Sequence, residues 1–214
     1  MAEDLVKEVY DTAAAFFARS RGSHDWDHTL RVLRLCERIG SAESADLQVV
    51  RIAALLHDIG RTGQDEANGR LCHAEYGALL AQPIVAKLPL SETQKQNILD
   101  CISSHRFRGQ QVPDTIEAKV LFDADKLDAI GAVGVARAFL FAGEVGACLH
   151  NPDARIEETQ PYTVDDTGYR EYRVKLRKIK DRMLTNTGRE LAKKRHQFMK
   201  EFFQRFLQEY NGKG

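Results

Sequence analysis

Ala53-Ala54-Leu55-Leu56-His57-Asp58-Ile59-Gly60 is the stretch on which the reading of this chain turns. Val49, Ile52, Ala53 and Leu56 recur at helical spacing, so a helix starting near Asp46 delivers an imidazole and a carboxylate side by side at its C-terminal end. Such a pair can grip one divalent cation, and Gly60 lets the chain turn away without covering it. Upstream, Trp26-Asp27-His28-Thr29-Leu30-Arg31-Val32 opens another helical pattern. There His28, Val32, Leu35 and Ile39 fall on one face, which points the imidazole into the core. Downstream come His73, His105 and an acidic cluster, Asp123-Ala124-Asp125-Lys126-Leu127-Asp128. The order His, His-Asp, Asp reads as a metal site assembled from four helices.

The rest of the chain supports an all-α fold, because helical periodicity is nearly continuous and alternating strand patterns are nearly absent. A first helix is expected from about Glu3 to Arg19, with Leu5, Val9, Ala13 and Phe16 or Phe17 inward. Residues 61–69 read as a polar loop. Helices follow from Cys72-His73 to about Lys87, and from the capping box Ser91-x-x-Gln94 to His105. A further apolar helix carries Val120 and Ala124, and Asp125 lies beside that stripe. Residues 143–168, rich in Gly, Pro, Asp, Glu and Thr, read as a mobile loop or lid. Two more helices are expected, from Tyr169 to Leu184 and from Thr187 to Tyr210. The expected organisation is one domain over 1–214: a metal-site core at about 24–130, the loop at about 143–168 and C-terminal helices at about 169–210.

Composition narrows the function classes. With 31 basic and 31 acidic residues among 214, the formal net charge is +0, leaving no global field for nucleic-acid polymers or anionic membranes. Phosphate binding must then be local, and between Arg170 and Lys200 the sequence holds 12 Lys or Arg against 3 Asp or Glu. Cys36, Cys72, Cys101 and Cys148 show no Cys-x-x-Cys spacing and read as reduced packing residues. The acidic N-terminal stretch lacks a signal core, and no run approaches the ~20 apolar residues of a membrane span, so the expected compartment is the cytoplasm.

Two imidazoles and two carboxylates around a divalent ion leave positions open for water and a phosphate oxygen, which suits hydrolysis. No G-x-S-x-G, G-x-x-x-x-G-K-[ST] or H-E-x-x-H motif competes. A lone histidine on an apolar face is more often a hydrogen-bonded core residue, but several such groups together favour shared metal binding. For His73 and His105 three uses stand open: ligands of a second metal, donors to phosphate, or helix caps. Both join Asp58 as candidate catalytic residues. Arg31, Arg61, Arg106, Lys126, Lys175 and Lys178 are candidate substrate-binding residues, each with a solvated helix face as its alternative; Arg108 lies in the same neighbourhood. Tyr162, Tyr169 and Tyr172 could stack on a nucleobase, although packing is the commoner use. His24 belongs to the approach to the site, while His150 and His196 read as surface residues.

On the segments His24-Asp-Trp-Asp-His28, Leu-Leu-His57-Asp58-Ile-Gly60, His73-Ala-Glu-Tyr-Gly-Ala, Ile-Ser-Ser-His105-Arg and Asp123-Ala-Asp125-Lys-Leu-Asp128, the chain resembles the HD-domain superfamily of metal-dependent phosphohydrolases. It also resembles, along its length, stand-alone bacterial HD proteins similar to nucleoside triphosphate pyrophosphohydrolases. The resemblance implies a helical HD fold with a C-terminal helical extension. It also implies a metal held by His28, His57, Asp58 and Asp125, with Asp123 and Asp128 as competitors for the last place. Family members with two metals use histidines at places like His73 and His105, bridged by the His-Asp carboxylate. The ion would be manganese, magnesium, nickel, cobalt or iron. One nucleotidase subgroup carries a glutamate shortly after the His-Asp pair, whereas this chain has Ile59-Gly60-Arg61-Thr62.

The expected activity is therefore hydrolysis of a small nucleotide, with a nucleoside or deoxynucleoside triphosphate going to monophosphate and pyrophosphate. The alternatives are a 5′-nucleotidase or another phosphomonoesterase or phosphodiesterase, a di-iron oxygenase of HD type, and a non-catalytic nucleotide-binding module. The expected partner is a small nucleotide or phosphate substrate, with no nucleic-acid polymer and no membrane.

Overall fold

A computed structural model describes residues 2–17, 26–66, 71–106 and 112–213, and among them every regular element is a helix. His24 and Arg108 lie outside the described residues. No described helix is long and apolar enough to cross a membrane. The chain forms two compact units: residues 1–125 with 184–187, and residues 126–183 with 188–214.

The first unit is built on α1 (Ala2–Phe16), α2 (Trp26–Ala42), α3 (Leu47–Leu56), α4 (Arg61–Glu66), α5 (His73–Ala86), α6 (Glu92–Ser104) and most of α7 (Ile116–Asp128). At its centre α3 packs against α1, α2 and α6. Its residues 49, 50 and 52–56 are all buried, as suits a helix apolar on every side. Asp46 caps α3 by accepting from the Gln48 and Val49 amides. Ser91 and Gln94 form the expected capping box of α6. Of the two candidates at the end of α1, Phe17 is buried and Phe16 exposed.

Two element expectations are corrected. Residues 61–66 form a helix rather than a loop, because the turn at Gly60 brings them against α5, and this packing outweighs their polar composition. The single helix expected from Tyr169 to Leu184 is broken at Lys175 (φ −131°, ψ −59°). The result is α9 (Gly168–Val174) followed by a 3-10 stretch, Leu176–Arg182. Three-residue spacing turns Leu176 and Ile179 to the same buried side.

The second unit also holds α8 (Gly131–Glu144) and α10 (Asn186–Tyr210), the latter from Gly188 onward. Tyr172 stacks on Phe203 at 4.4 Å, and Tyr169 lies 5.6 Å from Phe203, so both tyrosines are packing residues. Tyr162 is exposed, edge-on to Phe141. His150, expected at the surface, is half-buried between Tyr169 and Tyr210. Residues 143–168 contain one 3-10 turn, Ile156–Glu158, and buried Arg170 ties their last part down. Its guanidinium bonds Asp166 Oδ1 at 2.6 Å, Thr159 Oγ1 at 2.5 Å and the Thr159 carbonyl at 3.1 Å.

Candidate metal centre

Six side chains from five helices or their ends converge inside the first unit: His28, His57, Asp58, His73, His105 and Asp125. All are buried except Asp125, whose side chain is 16% exposed. His57 and His105 follow the last residues of α3 and α6, where helical carbonyls lack intrahelical partners. Each ring uses one of them: Nδ1 donates to the Ala54 carbonyl at 2.8 Å in His57, and to the Ile102 carbonyl at 2.6 Å in His105. A carbonyl can only accept, so both neutral rings carry the proton on Nδ1 and aim an Nε2 lone pair into the cluster.

Asp58 stands between two sets of imidazoles. Its Oδ2 lies 3.7 Å from His28 Nε2 and 3.8 Å from His57 Nε2. Its Oδ1 lies 3.5 Å from His73 Nε2 and 3.6 Å from His105 Nε2. His28 Nε2 is in turn 3.4 Å from Asp125 Oδ1. His28, His57 and Asp125 each offer an atom within 4.8 Å of the others, and so do Asp58, His73 and His105.

This donor set fits a divalent cation. Carboxylate oxygens and imidazole lone pairs face one another in a buried space, and the buried His57 Nε2 finds no hydrogen-bond donor among the described residues. Such an arrangement is costly without a positive charge between the groups. Protons do not supply that charge cheaply. Burial lowers the pKa of His57 to about 4 and that of His73 to about 2, against the opposing pull of Asp58.

The three aspartates of α7 have different surroundings. Asp123 is fully buried and accepts from the Leu184 amide, the Thr185 amide and the Thr185 hydroxyl at 2.8, 2.8 and 2.7 Å. Asp128 bonds Arg137 at 2.6 Å. Asp125 alone of the three joins a cation-capable group among the described residues.

Arg61 reaches back to both oxygens of Asp58, at 3.2 and 3.3 Å. Arg31 pairs with Asp27, and Arg106 with Cys72. Lys126, Lys175 and Lys178 belong to the second unit, where Lys175 pairs with Glu171 at 2.7 Å and Lys178 is exposed. Sequence reading missed Gln64, whose Oε1 lies 2.7 Å from His73 Nδ1. It stands in the segment taken for a loop, and only recognition of α4 would have placed it near the histidine.

The sequence matches the HD domain family over residues 25–130, which takes in all six clustered side chains and ends just beyond Asp125. Bacillus subtilis YpgQ is 35% identical over 193 residues, covering 88% of this chain and 85% of that protein. The chain belongs to the HD-domain family. An HD-superfamily hydrolase from Bacillus thuringiensis superposes with a TM-score of 0.78 at 25% identity, covering 99% of both chains. YpgQ in complex with ADP superposes with a TM-score of 0.75 at 32% identity, covering 98% of this chain and 96% of that one. This HD-domain protein is a metal-dependent phosphohydrolase with a divalent metal ion as its cofactor.

Proposed function

We propose that this HD-domain protein hydrolyses a nucleoside or deoxynucleoside triphosphate to the monophosphate and pyrophosphate, with manganese as the first ion to try. The buried acceptor cluster around Asp58 carries the reading, because it calls for a cation and for an anionic ligand to complete the charge balance. Relatedness to YpgQ, a protein crystallised with ADP, supports a nucleotide as that ligand.

In this proposal His28, His57, Asp58 and Asp125 hold the ion. When bound, the ion supplies a Lewis acid and a water of lowered pKa. The Ala54 carbonyl keeps the His57 lone pair facing inward, and Arg61 fixes the orientation of the Asp58 carboxylate. His73 and His105 stand on the other side of Asp58, within reach of a proton or a phosphate oxygen. Arg31 and Arg106 are proposed to neutralise polyphosphate; for Lys126, Lys175 and Lys178 the same proposal rests on sequence charge.

The test is a panel of nucleotides incubated with several divalent metals, reading pyrophosphate and orthophosphate separately in oxygen-18 water. Monophosphate plus pyrophosphate, with the label in only one product, is expected. Orthophosphate from a monophosphate substrate would make the protein a 5′-nucleotidase instead. The second cation-capable group, Asp58 with His73 and His105, favours one further reading, a di-iron oxygenase. Iron content and oxygen uptake separate the two.

A further inference from the structure

The two histidines at helix ends have their tautomers set by backbone carbonyls. His73 opens α5, so no helical carbonyl lies behind it in sequence to play that part. Its Nδ1 instead meets the side-chain oxygen of Gln64 at 2.7 Å. We propose that Gln64 is a positioning residue that holds His73 in the tautomer whose Nε2 lone pair faces Asp58 and His105. This inference rests on the reading of the cluster as a divalent-cation site.

The contact is built by close approach of α4 to the first turn of α5. A Cβ on Gly60 would stand 2.4 Å from the His73 carbonyl oxygen and 2.6 Å from the Gly77 amide nitrogen. A Cβ on Gly63 would stand 2.5 Å from the Tyr76 ring. Only glycine allows these distances, and the residue after Gly63 is the one that reaches the ring.

Gln64 has work to do because the opposite tautomer has partners of its own. With the proton on Nε2, His73 could donate to His105 Nε2 at 3.2 Å or turn toward Asp58 Oδ1 at 3.5 Å. That arrangement puts an N–H where a cation requires a lone pair. An acceptor at Nδ1 opposes it, and the Gln64 amide oxygen is that acceptor.

The experiment uses the full-length protein, nitrogen-15 labelled and stripped of metal. Long-range proton–nitrogen spectra of the imidazoles are assigned by comparison with His73→Asn. His73 is expected to carry its proton on Nδ1 in the wild type and in Gln64→Glu, which keeps an acceptor, and on Nε2 in Gln64→Leu. Gly63→Ala, which pushes α4 away from Tyr76 while keeping Gln64, is expected to shift the proton the same way as Gln64→Leu. In calorimetric titration with manganese alone, filling of the second cation-capable group, Asp58 with His73 and His105, is expected to be about 10-fold weaker in Gln64→Leu and no weaker than wild type in Gln64→Glu.

A wild-type ring protonated on Nε2, or a Gln64→Leu ring with the wild-type pattern, overturns the inference. The spectra do not depend on turnover. Pyrophosphate release with an unaltered tautomer in Gln64→Leu sinks this inference alone. The expected tautomer shift without nucleotide hydrolysis sinks the substrate proposal alone.

Discussion

Replacing Asp123 and Asp125 separately by alanine should divide stability from metal binding, although the two carboxylates lie two residues apart on α7. Asp123 is fully buried and accepts three hydrogen bonds from residues 184 and 185. Hydrogen bonds to a charged group contribute roughly 1.5–3 kcal/mol each, and Asp123→Ala leaves three donors to find water. Partial rehydration of the 184–187 turn places the loss near the lower bound, about 4 kcal/mol. Set against a total stability of roughly 5–15 kcal/mol, that is a large fraction. With a urea slope of about 2 kcal/mol/M, the midpoint should fall by about 2 M. Asp125→Ala removes a partly exposed carboxylate 3.4 Å from His28, so the midpoint of the metal-free protein should move by less than about 0.5 M. Manganese titration of the folded proteins should show the reverse order: binding kept in Asp123→Ala and abolished in Asp125→Ala. An unchanged midpoint for Asp123→Ala, or loss of manganese binding in folded Asp123→Ala with normal binding in Asp125→Ala, would refute the assignment.

Three further outcomes are expected. In the metal-free protein, burial holds the His57 pKa at about 4 against an ordinary 6.5. The unfolded chain therefore binds the extra proton first, and the contribution of His57 is fully present above pH ~6.5 and falls by about 3 kcal/mol as pH drops to ~4, with His73 adding a loss of the same sign. Chemical unfolding at a series of pH values checks this, and a stability that rises on acidification contradicts it. Gly60→Ala forces a methyl against the backbone of His73 and Gly77, where no flexible side chain can give way. It should cost about 3 kcal/mol by thermal or urea unfolding, and a cost under ~0.5 kcal/mol would show that the α4–α5 approach is loose. Arg170→Ala leaves the buried Asp166 carboxylate without its ion pair. Residues 159–167 should then be cut by protease faster by an order of magnitude or more, and an unchanged digestion rate would show that Arg170 does not hold this segment.

Much of the helical pattern was legible because its causes are local. The stripe of His28, Val32, Leu35 and Ile39 is a matter of 3.6-residue periodicity, and all four residues are buried. The start of α3 near Asp46 and the Ser91–Gln94 box need only neighbours within three residues. The same logic placed His57 and His105 at helix ends, where the carbonyl that orients each ring is three residues back in sequence. Tertiary structure decided what locality could not. Asp123, Asp125 and Asp128 share one helix within six residues, and nothing in their spacing tells a turn-capping carboxylate from one facing His28 or one paired with Arg137. Residues 61–66 looked like a loop because their composition is polar, yet contact with α5 makes them a helix and brings Gln64 to His73. The break at Lys175 likewise follows from where Leu176 and Ile179 find cover. Periodicity and capping act between residues close in sequence, whereas a carboxylate or an amide takes its role from the groups that the folded chain sets beside it.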